Sequence, residues 1–118
     1  MRICIDIDGT ICSLRQPDET YSQLKPIEGA AKTIKKLKAE GHYIILSTAR
    51  HMKTCESNVG MVLAREGLTL LDWLKNNDFV YDEIWFGKPY AHIYIDDNAM
   101  KFEGCWDSID EELNKNYI

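Results

Sequence analysis

The chain has 118 residues, 45% hydrophobic and 28% charged, with a formal net charge of −5. That length holds one domain, residues 1–118, and not two. The acidic balance argues against nucleic acid as a partner, since nucleic-acid binders show a basic surplus or stripe. No apolar run reaches transmembrane length, and no charged region followed by a long apolar one opens the chain, so the expectation is a cytoplasmic protein with no membrane partner.

Residues Arg2 to Ile7 read as a short, largely apolar strand. It runs into Asp6-Ile7-Asp8-Gly9-Thr10. A carboxylate is poorly placed inside a buried strand, because its charge cannot be solvated there. Two of them at the strand's end, where Gly9 turns the chain, make better sense. Period-two alternation puts Asp6 and Asp8 on one side, with Ile7 opposite. Backbone N–H groups around Gly9 and Thr10 are expected to face the same place and to favour an anion.

The segment from Ile11 to Lys25 is polar and irregular. Pro26 suits the first turn of a helix. Ile27, Ala30, Ala31, Ile34 and Leu37 then recur at helical spacing, and Gly41 is a stop. The lysines Lys32, Lys35, Lys36 and Lys38 form the only dense basic cluster, read as a solvated helix face. His42 to Leu46 is the second strand, ending in Ser47-Thr48. Two strands joined by a helix form a parallel βαβ unit, which brings both strand ends to one edge of the sheet. Asp6, Asp8 and Thr48 are expected to converge there.

Arg50, His51 and Lys53 follow. Arg50 either contacts substrate or pairs with an acid; His51 and Lys53 read as surface residues. A helix is expected over Asn58 to Arg65, ending at Gly67, and a second from a Thr69-x-x-Asp72 capping box to Asn76. Glu83 to Phe86 is a third strand and Ile93 to Asp96 a fourth. Ser108-x-x-Glu111 is expected to cap a C-terminal helix. The four cysteines, Cys4, Cys12, Cys55 and Cys105, are far apart and form no Cys-x-x-Cys pair, which argues against zinc or a disulfide framework. Cys4 reads as a small core residue and Cys12 as structural.

The order of motifs is Asp6-x-Asp8-Gly9-Thr10, then Ser47-Thr48, then Gly87-Lys88-Pro89, then Asp96-Asp97. It resembles the haloacid dehalogenase-like phosphatase superfamily over residues 6 to 97. Ser47-Thr48-Ala49-Arg50, Asn58-Val59-Gly60, Tyr81-Asp82-Glu83-Ile84 and Gly87-Lys88-Pro89 look more closely like the small bacterial capsule-biosynthesis phosphatases. The resemblance implies an α/β three-layer Rossmannoid sandwich with a mainly parallel sheet and no cap domain. It implies a Mg²⁺-dependent phosphomonoesterase acting through an aspartyl-phosphate. Asp6 is then the nucleophile and Asp8 the general acid and base. Thr48, or alternatively Ser47, bonds a phosphoryl oxygen, and Lys88 offsets its charge. Asp6, the backbone carbonyl of Asp8 and Asp97 hold the metal, with Asp96 behind Asp97.

One departure stands out. The superfamily usually has a helix between its lysine and its last acidic pair, and residues 89–95 are too few for a helix and a strand. Lys88 must then work from a loop, with Lys53 as the fallback cation. The substrate implied is a small phosphorylated metabolite of surface-polysaccharide synthesis, or a nucleotide-linked sugar phosphate with a bulky handle. The stretches between motifs are each roughly 40 residues, too short to hold a lid as well as core elements. An open site buries little of a small ligand, so a homo-oligomer that walls the site is a further expectation. Rival readings are a nucleic-acid end phosphatase, disfavoured by the acidic charge, and a receiver-like signalling domain, whose acidic pair precedes its phosphorylated aspartate in the opposite order. A non-catalytic scaffold is disfavoured because each catalytic residue type is present.

Overall fold

Residues 1–117 are described by the computed structural model. Three short strands, β1 (Arg2–Asp6), β2 (Tyr43–Thr48) and β3 (Glu83–Phe86), form one sheet in the order β1-β2-β3. Both pairings are parallel, with Asp6 opposite Ser47 and Thr48 opposite Phe86. Among the described residues there are three α-helices: α1 (Ala30–Ala39), α2 (Val59–Asn76) and α3 (Trp106–Asn116). This is the α/β, parallel-sheet fold expected. The stretch between β1 and α1 carries one 3₁₀ turn, Tyr21–Gln23, and no cap unit.

Alternation along the strands decides which face meets the core. Ile5, Ile44 and Leu46 are buried, and they join Ile34 and Leu37 of α1 with Leu70, Trp73 and Leu74 of α2 in a single apolar cluster. The opposite face carries Cys4, Ile45 and Trp85, and Cys4 and Trp85 are exposed. The basic cluster on α1 is tied down by ion pairs: Lys35 to Asp78, Lys36 to Asp110 of α3, and Lys38 to Asp82 ahead of β3. These lysines are fasteners at the helix rim, not a phosphate track.

Four boundaries differ from the sequence-based expectation. α1 begins at Ala30, because Pro26 is engaged earlier in an isolated antiparallel bridge with Cys12. The two helices expected on either side of Gly67 are one helix, α2, capped by the Asn58 side chain, which accepts the Met61 N–H at 3.1 Å. A mid-helix glycine costs about 1 kcal/mol against alanine. Burial of Leu70, Trp73 and Leu74 beyond it is worth roughly 1.5–3 kcal/mol each, so packing overrides the break. α3 begins at Trp106, ahead of the Ser108 cap. Its indole N–H donates to the Thr10 carbonyl at 2.8 Å and pins the helix against the loop after β1.

The fourth difference matters most. Ile93–Asp96 is not a strand, and every residue from Pro89 to Ala99 is exposed. Parallel neighbours need a crossover of about a dozen residues or more. Residues 87–92, between β3 and this run, are too few to carry the chain back to the start of the sheet.

Candidate active site

Asp6 closes β1, and the chain then turns at Gly9, whose φ of 84° lies in the left-handed region. A Cβ at Gly9 would come within 3.2 Å of the Leu14 side chain, so glycine suits both the dihedral and the space. The turn uses its own amides. The Gly9 N–H donates to the Cys12 carbonyl at 2.8 Å and the Thr10 N–H to the Ile7 carbonyl at 3.1 Å. Contrary to expectation, these two donors are committed to the loop and are not presented to an anion. What Thr10 offers instead is its hydroxyl, which donates to Asp6 Oδ2 at 3.1 Å.

Lys88 reaches the same carboxylate from the other side. Gly87 sits at φ 96° just after β3, and the Lys88 N–H donates to the Thr48 carbonyl at 3.1 Å. That anchor directs the ammonium across the sheet edge, and Lys88 Nζ lies 3.2 Å from Asp6 Oδ1. Lys88 therefore reaches Asp6 from a loop, as its short spacing to Asp96 implies. Lys53 is elsewhere, its ammonium 5.4 Å from the centre of the Tyr90 ring.

Asp8 has a separate set of partners. Arg50 Nε lies 2.9 Å from Asp8 Oδ1 and 3.1 Å from Oδ2, and the Thr48 hydroxyl donates to Oδ2 at 3.2 Å. Of the two readings of Arg50, the structure shows the pairing with an acid. The residue is 3% exposed and lies beneath Tyr21, its guanidinium carbon 4.3 Å from the ring centre. Thr48 is fully buried, and its oxygen also accepts the Arg50 N–H at 3.0 Å. Its hydroxyl proton is thus spent on Asp8. Ser47 is the hydroxyl beside Asp6 in the parallel register. Cys12 lies below Asp8, and burial first, then the Asp8 charge, pushes its thiol up to about 11.

One residue of this network was not anticipated. Glu66 of α2 is buried, 3.4 Å from Arg50 Nη1 and 3.1 Å from His51 Nε2. It extends the chain Asp8–Arg50–Glu66–His51 into the core. Its signal was present: Val62, Glu66, Leu70 and Trp73 fall on one helix face, but that face is legible only when α2 is read as continuous. His51 and Glu66 also line a cleft with Arg15, Tyr21 and Arg65.

Asp96 and Asp97 do not join Asp6 and Asp8. Both are exposed, and Asp96 accepts the Asn98 N–H at 3.3 Å. Among the described residues, no group of three or more His, Cys, Asp or Glu side chains is arranged to hold a metal ion. Mg²⁺ takes near-octahedral oxygen ligands and is commonly held by one or two carboxylates. Asp6 fits that chemistry and the Arg50 pairing takes up only the Asp8 side chain, not the backbone carbonyl expected as a ligand, but the expected carboxylate of Asp97 is missing from the site. The donors of one chain therefore do not complete the expected Mg²⁺ site.

The model of the haloacid dehalogenase-like hydrolases matches residues 3–67. A solved structure of a structural-genomics target from Vibrio cholerae is 29% identical, with a TM-score of 0.80 over 97% of each chain. Among curated proteins, none matches. No helix among the described residues is long and apolar enough to cross a membrane.

Proposed function

The chain belongs to the haloacid dehalogenase-like hydrolases, and from that premise we propose that it hydrolyses phosphomonoesters through a phosphorylated Asp6. The observation that supports this most is the clamp on Asp6. Lys88 approaches one carboxylate oxygen and the Thr10 hydroxyl the other. An anion that attacks a phosphate is repelled, by roughly 4 kcal/mol for two unit charges at 4 Å and an effective dielectric of 20. The Lys88 ammonium beside the nucleophile offsets that repulsion as the phosphoryl group arrives. Asp6 Oδ attacks phosphorus, the P–O bond to the leaving alcohol breaks, and an acyl-phosphate forms.

Asp8 is the proposed general acid and base. In its protonated form it gives that proton to the leaving alkoxide oxygen, and as the carboxylate it then takes one back from the water that cleaves the acyl-phosphate, which restores the protonated form. Arg50 and Thr48 orient it and do not themselves meet substrate. Ser47, next to Asp6 in register, is the hydroxyl assigned here to a phosphoryl oxygen. Hydrolases of this family generally use Mg²⁺; held by Asp6 with further donors, it would supply charge neutralisation for the phosphoryl oxygens.

The substrate we propose is a small phosphorylated precursor of capsule or surface polysaccharide, including a nucleotide-linked sugar phosphate. The stretches that resemble capsule-biosynthesis phosphatases support it. So does a nearby cleft, whose mixed lining of Arg15, Glu19, Tyr21, Arg65 and Glu66 suits a polar group beyond the phosphate. The net charge of −5 disfavours a nucleic-acid end as substrate. A phosphate-release screen over sugar phosphates, nucleotide-linked phosphates, phosphopeptides and 3′-phosphorylated oligonucleotides, with Mg²⁺ or EDTA and beside Asp6→Asn, tests this reading. Mg²⁺-dependent release from a sugar phosphate or nucleotide-linked phosphate, lost in Asp6→Asn, is expected. A preference for the oligonucleotide that falls steeply with salt would favour the nucleic-acid reading instead.

A further inference from the structure

The exposed stretch from Pro89 to Ala99 has an apolar centre, Ile93-Tyr94-Ile95. Ile93 is 73% and Ile95 91% exposed. A continuous run of this kind, with apolar residues for both faces, is the composition of a strand inside a sheet and not of a solvated loop. The sheet has a matching open place. β1 is the last strand on its side. The Tyr43 N–H donates to the Met1 carbonyl at 2.8 Å and the Ile7 N–H to the Ser47 carbonyl at 3.1 Å. Alternation along a parallel ladder then turns the N–H and C=O groups of Cys4 and Asp6 toward the open edge. At the carboxyl end of that edge lies the site that lacks an acid, and at the carboxyl end of the apolar run lie Asp96 and Asp97.

The run cannot fill the edge within its own chain, since residues 87–92 are about half the length a parallel crossover needs. We propose that in a dimer each chain lays its Ile93–Asp96 run alongside the open edge of the partner's β1, and that Asp97, with Asp96 beside it, completes the partner's site in trans. The geometry selects β1 over the other free edge, at β3. Strands lie about 4.8 Å apart, so acids at the end of a strand added to β1 arrive next to Asp6. Added beyond β3 they would be roughly 14 Å from β1, too far for a shared cation with bonds of about 2.1 Å. The excursion is anchored at both ends, by Lys88 on Asp6 and by Met100 on the core of its own chain. Fully extended, residues 89–99 measure about 36–40 Å, so an excursion that returns to its own chain can reach about 18–20 Å outward. Pairing of this type removes an exposed apolar strand and an unpaired edge together.

The role of the acids rests on the phosphatase reading; the strand exchange does not. The test combines sedimentation of the wild type and Ile95→Asp with co-expression of Asp6→Asn and Asp97→Asn, and reads Mg²⁺ binding by calorimetry as well as phosphate release. The wild type is expected as a two-chain species. Ile95→Asp is expected as a monomer with an unchanged circular dichroism spectrum and without Mg²⁺ binding. Asp6→Asn and Asp97→Asn are each expected to be inactive and to bind no Mg²⁺. Co-expressed, they regain about a quarter of the wild-type rate and Mg²⁺ sites, because about half the dimers are mixed and each carries one intact site. A monomeric wild type, a dimer indifferent to Ile95→Asp, or no recovery of Mg²⁺ binding on mixing overturns the proposal. Recovery of Mg²⁺ binding with no phosphomonoester hydrolysed supports the exchange and overturns the phosphatase reading alone.

Discussion

Arg50 and Asp8 form the part-buried ion pair of the site: the Arg50 side chain is wholly buried, the Asp8 side chain 22% exposed, and Arg50 Nε lies within 3.1 Å of both Asp8 carboxylate oxygens. The same guanidinium reaches Glu66 on α2. Removal of the arginine leaves two carboxylates facing each other across a buried space. Loss of one partner of a buried ion pair costs about 3–5 kcal/mol. Arg50→Ala is therefore expected to lower unfolding stability by that order in urea titrations. Arg50→Lys keeps the charge but not the fork, and is expected to fall between the two. A loss below about 1 kcal/mol for Arg50→Ala would show that the network carries little of the fold.

The network also shows what could and could not be read from the chain. The ends of β1 and β2 were legible because each is marked locally, by apolar runs that stop at Asp6 and at Thr48. So was a loop position for Lys88, from its spacing to Asp96. The Arg50–Glu66 contact was not, because it joins the loop after β2 to a helix that the local signals of Gly67 and Thr69 divide in two. Helix continuity there is decided by burial of Leu70 and Leu74, a tertiary effect that local propensity does not contain. The fourth strand failed for a related reason. Ile93-Tyr94-Ile95 has strand composition, but a strand exists only beside a neighbour, and the connection available within one chain is too short to provide it. The placement of Asp96 and Asp97 failed with it.

Asp82 ties the start of β3 to β2 and α1. It accepts the Ile44 N–H at 2.8 Å and pairs with Lys38. The backbone hydrogen bond first, then Lys38, holds its carboxyl below the ordinary value of 3.8. A depressed folded value means that the stabilisation is present above the unfolded value and is lost as pH falls through the folded one. The difference in Tm between wild type and Asp82→Asn should therefore be constant above about pH 5 and shrink below about pH 4. A difference that persists undiminished at lower pH would assign the effect to packing and not to the charge.

The thiols should separate by reactivity. Burial and the Asp8 charge raise Cys12 to about 11, which leaves almost no thiolate near neutral pH. Cys105 stands exposed at the N-cap position of α3, and the polar groups of Ser108, first the N–H and then the side chain, lower its value. Alkylation at pH 8 followed by peptide mapping is expected to mark Cys105 early and Cys12 last. Early labelling of Cys12 in the folded protein would mean that the loop after β1 opens, and with it the seat of Asp8.

The central claim is that Asp6 carries the phosphoryl group. Acid quenching during turnover, followed by mass mapping, reads that directly. Wild-type protein with Mg²⁺ and a hydrolysed phosphomonoester is expected to show a phosphoryl adduct on the peptide that contains Asp6. Asp8→Asn is expected to slow turnover by roughly 10²–10⁴-fold, because both proton transfers lose their group. Asp6→Asn should show neither adduct nor phosphate release. Phosphate release by Asp6→Asn at a near-normal rate, with no adduct on any aspartate of the wild type, would contradict the account and point to direct attack by water.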